Sequence, residues 1–221
     1  MLLDFLLTLF LLGIIFFTSR QVIKTFYFLG HRATGSNFWS VQLLSWLLLP
    51  GTLLHEFSHL LVAEFLGVKT GKIDLLPKIN QDEESVKLGS VLMAESDPFR
   101  RTLIGLAPTL FGLGILGISV HYLNFSQPLI LLNLLFLLLI FIVANTMFSS
   151  AKDLEMAAVP AIILFLLAGA LWLGKISIPI SPSILATIQT LIFKLNLALA
   201  LTAGLNLLVW LLLRLVLRLI K

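Results

Sequence analysis

Apolar runs of about the 20 residues that a helix needs to cross a bilayer recur along this chain, and they constrain its fold more than any other feature. Hydrophobic residues fill 59% of the 221 positions, charged residues fill only 12%, and the mean hydropathy is +1.06. A soluble domain of this length does not require so much apolar surface. The sequence therefore predicts an all-α polytopic membrane protein.

We expect about six transmembrane helices, with a small β-hairpin segment between the second and the third. The predicted spans are residues 2–17, 38–66, 102–122, 128–148, 157–174 and 195–213. A polar loop follows the first span, and the proline-broken segment 175–194 is expected at the membrane surface or partly re-entrant. The net charge of +4 lies mostly in short flanks and loops, which favours contact with lipid headgroups over binding of nucleic acid.

Basic residues predict the orientation, because cytoplasmic loops carry an excess of lysine and arginine. With six spans and a cytoplasmic amino terminus, ten basic residues fall inside: Lys69, Lys72, Lys78, Lys87, Arg100, Arg101, Lys152, Arg214, Arg218 and Lys221. The other five fall outside: Arg20, Lys24, Arg32, Lys175 and Lys194. We therefore expect a multi-pass protein of the cell membrane with both termini and the hairpin in the cytoplasm.

The second predicted span contains the run His55-Glu56-Phe57-Ser58-His59. Residues i and i+4 share a helix face, so His55 and His59 can direct two imidazoles at one point. Glu56 lies about 100° around the helix, near enough to reach a water held there. This is the His-Glu-x-x-His arrangement of zinc hydrolases, in which the glutamate takes a proton from metal-bound water. A carboxylate at mid-bilayer costs about 2.5–3.5 kcal/mol, which favours a metal site over the alternative of a buried polar cluster without metal.

A catalytic zinc needs a third protein ligand beside an open position for water. Asp153 is the leading candidate, because it follows the fourth span in a serine-rich break where a side chain can turn inward. A helix-capping role for Asp153 is the alternative, and Glu155 is a competing ligand. Glu64 is rotated about 140° from His59, so we expect it to support the site indirectly or to lie at the membrane interface. His121, near the end of its span, is also expected at the interface.

Pro50 precedes His55 by little more than one helical turn. A proline removes a backbone hydrogen bond and clashes with the preceding turn, so we expect a kink that admits water to the site. An ordinary packing kink is the alternative. The chain has no cysteine, which excludes thiolate ligands and cysteine nucleophiles.

Strand-like alternation is confined to the polar segment 69–101. Residues 72–75 and 85–88 alternate with a period of two, and a turn is predicted at 80–84. We expect these two strands to pair as an antiparallel hairpin at the membrane surface. An open edge of the hairpin could hold an extended peptide beside the metal, and a solvated loop without a binding role is the alternative.

On these residues the chain resembles the site-2 protease family of intramembrane zinc metalloproteases. The resemblance covers about residues 43–154 and rests on the His-Glu-x-x-His run, the strand-like segment that follows it, and a later aspartate. The family's second motif reads Asn-x-x-Pro-x-x-x-x-Asp-Gly. Here Asn145 precedes Asp153 by the same eight positions, while Phe148 and Leu154 replace the proline and the glycine. The chain is most similar to small, divergent members that lack a PDZ domain.

The resemblance implies a zinc metalloendopeptidase that cuts transmembrane segments of other membrane proteins. His55, His59 and Asp153 would hold one zinc ion per chain. Glu56 would act as general base and then pass the proton to the leaving amine. Asn145 would steady the substrate or the oxyanion.

Three parts of the chain follow from these predictions. Residues 1–37 form the first transmembrane helix and a polar loop, residues 38–156 form a metalloprotease core of three spans and the hairpin, and residues 157–221 form C-terminal membrane spans. The main alternative is a non-hydrolytic membrane protein that uses the metal as a structural clamp between the second and fourth spans. A metal or proton transporter, and a zinc protease acting on soluble or misfolded membrane proteins, are further alternatives.

Overall fold

A computed structural model of the chain describes residues 2–74, 78–80, 85–87, 89–123, 130–148 and 181–219, together with 163, 166–167, 169–170 and 174. In these residues the helices are α1 (Leu2–Thr34), α2 (Asn37–Phe65), α3 (Pro98–Tyr122), α4 (Ile130–Thr146) and α5 (Pro182–Leu219). The strands are β1 (Thr70–Asp74), β2 (Lys78–Asn80), β3 (Ser85–Lys87) and β4 (Ser90–Met93). The expected mainly helical fold, with a small β segment between the second and third helices, is confirmed.

Three of the described helices, α1, α3 and α5, are long and apolar enough to cross a bilayer. The strongly apolar α4 has 17 residues, and α2 has 29 residues that include the ionisable side chains of the His-Glu-x-x-His run. Both coincide with the predicted second and fourth spans to within two residues. The predicted fifth span, 157–174, lies almost entirely outside the described residues.

Two helices are longer than the sequence suggested. In place of a span that stops near residue 17 and a polar loop, α1 continues to Thr34. Its second half is stabilised by α2, because Ile23 and Phe26 pack against a cluster of buried leucines there. The turn into α2 contains Gly35, whose φ of +66° is accessible to glycine without steric cost. Likewise α5 begins at Pro182 and not near residue 195, since proline is tolerated in the first helical turn.

The first and last helices run parallel to each other. The Asn196 amide donates a hydrogen bond to the Asp4 carbonyl at 3.0 Å, and the Arg32 guanidinium donates to the Leu217 carbonyl at 3.1 Å. The start of α1 and the end of α5 therefore lie at opposite ends of the bundle. The side of the membrane on which each terminus lies stays a prediction. Arg214 and Arg218, near the end of α5, lie at the same end of the bundle as Arg32 of α1.

Helix α4 approaches α2 and α3 closely through glycines of those helices. A Cβ atom added at Gly51 of α2 would lie 2.6 Å from the Ile142 side chain and would also overlap Thr146. A Cβ atom at Gly112 of α3 would lie 2.9 Å from Cβ of Met147. Small residues permit such close backbone approach in membrane bundles, where packing replaces the hydrophobic driving force.

The residues beside Thr146 and Met147 contact the two remaining helices. The Asn145 side chain donates to Oδ1 of Asn206 in α5 at 2.9 Å. The Phe148 ring meets the Phe16 ring of α1 edge to face, with 5.8 Å between centroids. Because successive helical residues are rotated by about 100°, residues 145–148 contact four different helices in turn. The end of α4 is therefore the centre of the described bundle.

The strands between α2 and α3 form two nested pairs. β1 pairs antiparallel with β4, which places Ile73 opposite Val91, and β2 pairs antiparallel with β3, which places Ile79 opposite Val86. The predicted partnership of residues 72–75 with residues 85–88 is wrong. The first of these segments pairs with residues 90–93, and the second pairs with residues 78–80. Alternation with a period of two assigns faces to a strand, but it does not identify the partner strand.

Candidate metal centre

His55 and His59 lie on consecutive turns of α2 with 3% and 4% of their surface exposed. Their Nε2 atoms are 3.2 Å apart. Two nitrogen ligands at about 2.05 Å from a tetrahedral zinc are about 3.3 Å apart, so the pair fits the spacing that this metal requires. Nitrogen donors of this kind also suit zinc chemically.

A hydrogen bond at its other ring nitrogen sets the orientation of His59. Its other ring nitrogen, Nδ1, lies 2.8 Å from the backbone carbonyl oxygen of Ile104 in α3. A carbonyl can only accept, so Nδ1 carries the proton and donates. In the neutral imidazole, Nε2 then keeps its lone pair, which faces His55. Metal-binding histidines commonly have such a hydrogen bond at the second nitrogen, which fixes both the tautomer and the ring plane.

Glu56 is buried beside the histidine pair, with 5% of its surface exposed. The backbone at the start of β4 lies directly against it. A Cβ atom added at Gly89 would lie 2.9 Å from Oε1 of Glu56 and 2.9 Å from Cγ2 of Thr52. The β segment therefore packs on the face of α2 that presents the carboxylate. Gly89 is not among the residues predicted from the sequence, although a glycine directly before a strand is a signal of close backbone approach.

The remaining candidates among the described residues lie away from the histidine pair. Glu64 is exposed at the end of α2, where it accepts a hydrogen bond at 3.1 Å from the hydroxyl of Thr70 in β1. It therefore connects the helix end to the β segment. His121 is exposed in the last turn of α3, as its position in the sequence suggested.

Sequence analysis predicts a third ligand after the fourth span, and the structure does not test that prediction. Asp153 and Glu155, the two carboxylates predicted for this role, lie outside the described residues. Within the described part of the chain, no group of three His, Cys, Asp or Glu side chains could hold a metal. The described part of α4 does end close to the site, because Thr146 packs against Gly51, one turn before His55.

Asn145, the predicted substrate-positioning residue, is held by α5. Its side-chain amide donates to its own helix at Phe141 and to Oδ1 of Asn206, and both asparagines are almost fully buried. Among the described residues, Oδ1 of Asn145 and Nδ2 of Asn206 have no hydrogen-bond partner. Asn206 is not among the residues predicted from the sequence, although an asparagine within an apolar span is itself a signal of a polar contact between helices.

Comparisons with protein-family models, with curated proteins and with solved structures find no match. The chemistry is therefore inferred from the geometry of this site. Two imidazole nitrogens converge, the tautomer of one is set by a backbone carbonyl, and a buried carboxylate lies on the next residue. Such a set can bind a divalent metal and move a proton beside it.

Proposed function

We propose that this protein is an intramembrane zinc metalloprotease that hydrolyses peptide bonds in or near the transmembrane segments of other membrane proteins. The observation that carries the proposal is the buried histidine pair, with Nε2 atoms 3.2 Å apart and His59 oriented by the Ile104 carbonyl. Ionisable side chains inside apolar helices are rare and mark functional sites. The resemblance to the site-2 protease family points to the same chemistry.

In this proposal His55, His59 and Asp153 hold one zinc ion per chain, with Glu155 as the competing carboxylate. The position of α4 supports a ligand from the chain that follows it. Seven residues lead from Thr146 to Asp153, and a chain of that length reaches up to about 24 Å. His55 lies only about 6 Å along α2 from Gly51, which Thr146 contacts.

Bound zinc would supply an acidified water and a Lewis acid for the scissile carbonyl. The residues of this chain then handle the protons and the substrate. Glu56 takes a proton from the attacking water on a carboxylate oxygen and returns it to the leaving amine nitrogen. Burial keeps this carboxylate close to the reacting atoms and limits competition from bulk water.

The β segment is the proposed holder of the substrate. A peptide inside lipid is normally helical, because its backbone groups have no water to bond, so it must unwind before it is cut. A strand edge can satisfy the backbone groups of an unwound segment through main-chain hydrogen bonds. The close packing of Gly89 on Glu56 supports a role for this end of β4, because a peptide held there would lie beside the general base. The substrate is therefore a transmembrane protein, and the lipid bilayer is the second partner.

A structural metal clamp is the second candidate. The close packing of α2 on α4 at Gly51 favours it, because a metal held by both helices would reinforce a contact that already exists. A clamp requires the ligands but not the general base. Replacement of Glu56 therefore distinguishes the two functions.

The decisive experiment compares the wild type with Glu56→Gln, His55→Ala and, as a matched control, His121→Ala. Each protein is purified in detergent, its zinc content is measured by elemental mass spectrometry, and cleavage of a panel of model transmembrane substrates is assayed. We expect about one zinc in the wild type, in Glu56→Gln and in His121→Ala, and little in His55→Ala. Only the wild type and His121→Ala should cleave.

Absence of zinc from all four proteins would refute the metal site. Zinc binding without cleavage, together with normal cellular function of Glu56→Gln, would favour the clamp.

A further inference from the structure

Pro108 lies buried in the interior of α3. A proline has no backbone N–H, so the carbonyl four residues earlier loses its usual hydrogen-bond partner. In α3 that carbonyl belongs to Ile104. The same Ile104 oxygen accepts the hydrogen bond from Nδ1 of His59, at 2.8 Å. Pro108 therefore leaves the Ile104 oxygen without its usual donor, and His59 donates to that same oxygen.

We propose that Pro108 is a positioning residue for the metal centre, because its missing N–H reserves the Ile104 carbonyl for His59. An ordinary helical carbonyl accepts from the N–H four residues ahead and points along the helix axis. Without that donor, the oxygen can turn toward α2 and bond a side chain there. Neighbouring helices commonly satisfy the carbonyls that prolines release in membrane helices.

The hydrogen bond between His59 and the Ile104 carbonyl satisfies a buried polar group on each side. Ile104 is almost fully buried, and a buried carbonyl without a donor is destabilising. His59 gains a fixed acceptor for Nδ1–H, which leaves Nε2 as the ligand atom. The inference rests on the proposed metal function, because the orientation of Nε2 matters only if this atom binds the metal. If Pro108 acts only by shaping α3, zinc binding depends on its pyrrolidine ring and not on the missing N–H.

The first test measures the tautomer of His59 in the metal-free, full-length protein by ¹⁵N NMR of labelled histidine. The wild type should show Nδ1–H. In Pro108→Ala the new N–H competes for the Ile104 carbonyl, so the Nε2–H tautomer should appear at His59. Pro50→Ala is the matched control, because it restores an N–H to the interior of α2 and leaves the Ile104 carbonyl unchanged.

The second test measures the zinc dissociation constant. Loss of an outer hydrogen bond to a ligand typically weakens metal binding about 10- to 100-fold, which is the increase expected for Pro108→Ala. Replacement of Pro108 by lactic acid, introduced by nonsense suppression, places an ester where the amide was. This variant has the alanine side chain but no N–H, so its dissociation constant should stay within about threefold of the wild-type value.

The proposal is overturned if Pro108→Ala keeps the wild-type tautomer and zinc affinity, or if the lactic acid variant loses zinc as the alanine variant does. If Pro108→Ala does not fold, replacement of Gly105 by glycolic acid serves instead. It converts the Ile104 carbonyl into a weaker ester acceptor, and the same loss of zinc affinity is expected. If the wild type binds no zinc, the proposed function fails, and the tautomer measurement still decides whether Pro108 orients His59.

Discussion

An alanine at Gly89 is the sharpest test of the contact between the β segment and the general base. The backbone at Gly89 is not in the left-handed region, so an alanine there carries no conformational penalty of that kind. Its Cβ atom would lie 2.9 Å from Oε1 of Glu56 and 2.9 Å from Cγ2 of Thr52. The substitution therefore acts by pushing the start of β4 and the carboxylate of Glu56 apart.

The size of the effect follows from these distances. Carbon atoms in favourable contact are about 3.5–4.0 Å apart, so the contact with Thr52 alone requires a movement of about 0.6 Å or more. A misplacement of about 1 Å at a reacting group can cost about 100-fold in rate. We therefore expect Gly89→Ala to lower kcat about 10- to 20-fold on a model transmembrane substrate. The zinc content should not change, because the three atoms nearest to the new methyl group belong to Glu56 and Thr52 and not to a histidine.

The assay combines kcat, zinc content and thermal stability for Gly89→Ala and two matched controls. Gly117→Ala adds a methyl group where nothing lies within 4 Å. Gly71→Ala adds one within the β segment, 3.1 Å from the Leu92 Cβ and away from Glu56. Both controls should keep kcat within about twofold of wild type, since their methyl groups do not reach the carboxylate. A folded, zinc-loaded Gly89→Ala protein with wild-type kcat would refute the proposed position of β4.

Two further predictions concern the packing of the helices away from the histidine pair. Asn206→Leu removes the partner of the buried Asn145 amide and should destabilise the protein by about 1–3 kcal/mol, measured by denaturant or steric-trap unfolding. The double variant with Asn145→Leu should lose less than the sum of the two single variants, and additive losses would contradict a direct contact. Single cysteines in this cysteine-free chain test the direction of the helices. Ser36→Cys and Arg218→Cys should react with an impermeant thiol reagent from one face of the membrane. Ser181→Cys should react from the opposite face. Labelling of all three cysteines from one face would exclude parallel α1 and α5.

The features that sequence analysis predicted well are those that local geometry determines. Helical spacing of four residues brings His55 and His59 together whatever the surrounding fold, so their convergence required only the correct assignment of a helix. The limits of α2 and α4 follow from apolar runs with polar flanks, and this signal is also local.

The features that it missed depend on which elements meet in three dimensions. The second half of α1 stays helical because α2 covers Ile23 and Phe26, and the charges at residues 20 and 24 gave no indication of that partner. The parallel course of α1 and α5 depends on how these two helices pack, and the order of the apolar runs along the chain does not specify it. The contact of Gly89 with Glu56 requires a particular docking of β4, and a glycine before a strand indicates a close approach without identifying its partner.

The proposed protease and the alternative of a transporter differ in where they need buried polar groups. Buried threonines in the described bundle donate to the carbonyl four residues earlier in their own helix, as seen at Thr18, Thr52, Thr146 and Thr202. Such hydroxyls are satisfied locally and do not connect one helix with the next. A transported ion needs polar groups at successive depths, whereas hydrolysis needs them concentrated at one depth. The hydrogen bond from His59 to Ile104, the adjacent Glu56 and the packing of Gly51 on the end of α4 lie within about two turns of α2. This grouping supports the proposal of hydrolysis over the alternative of a transporter.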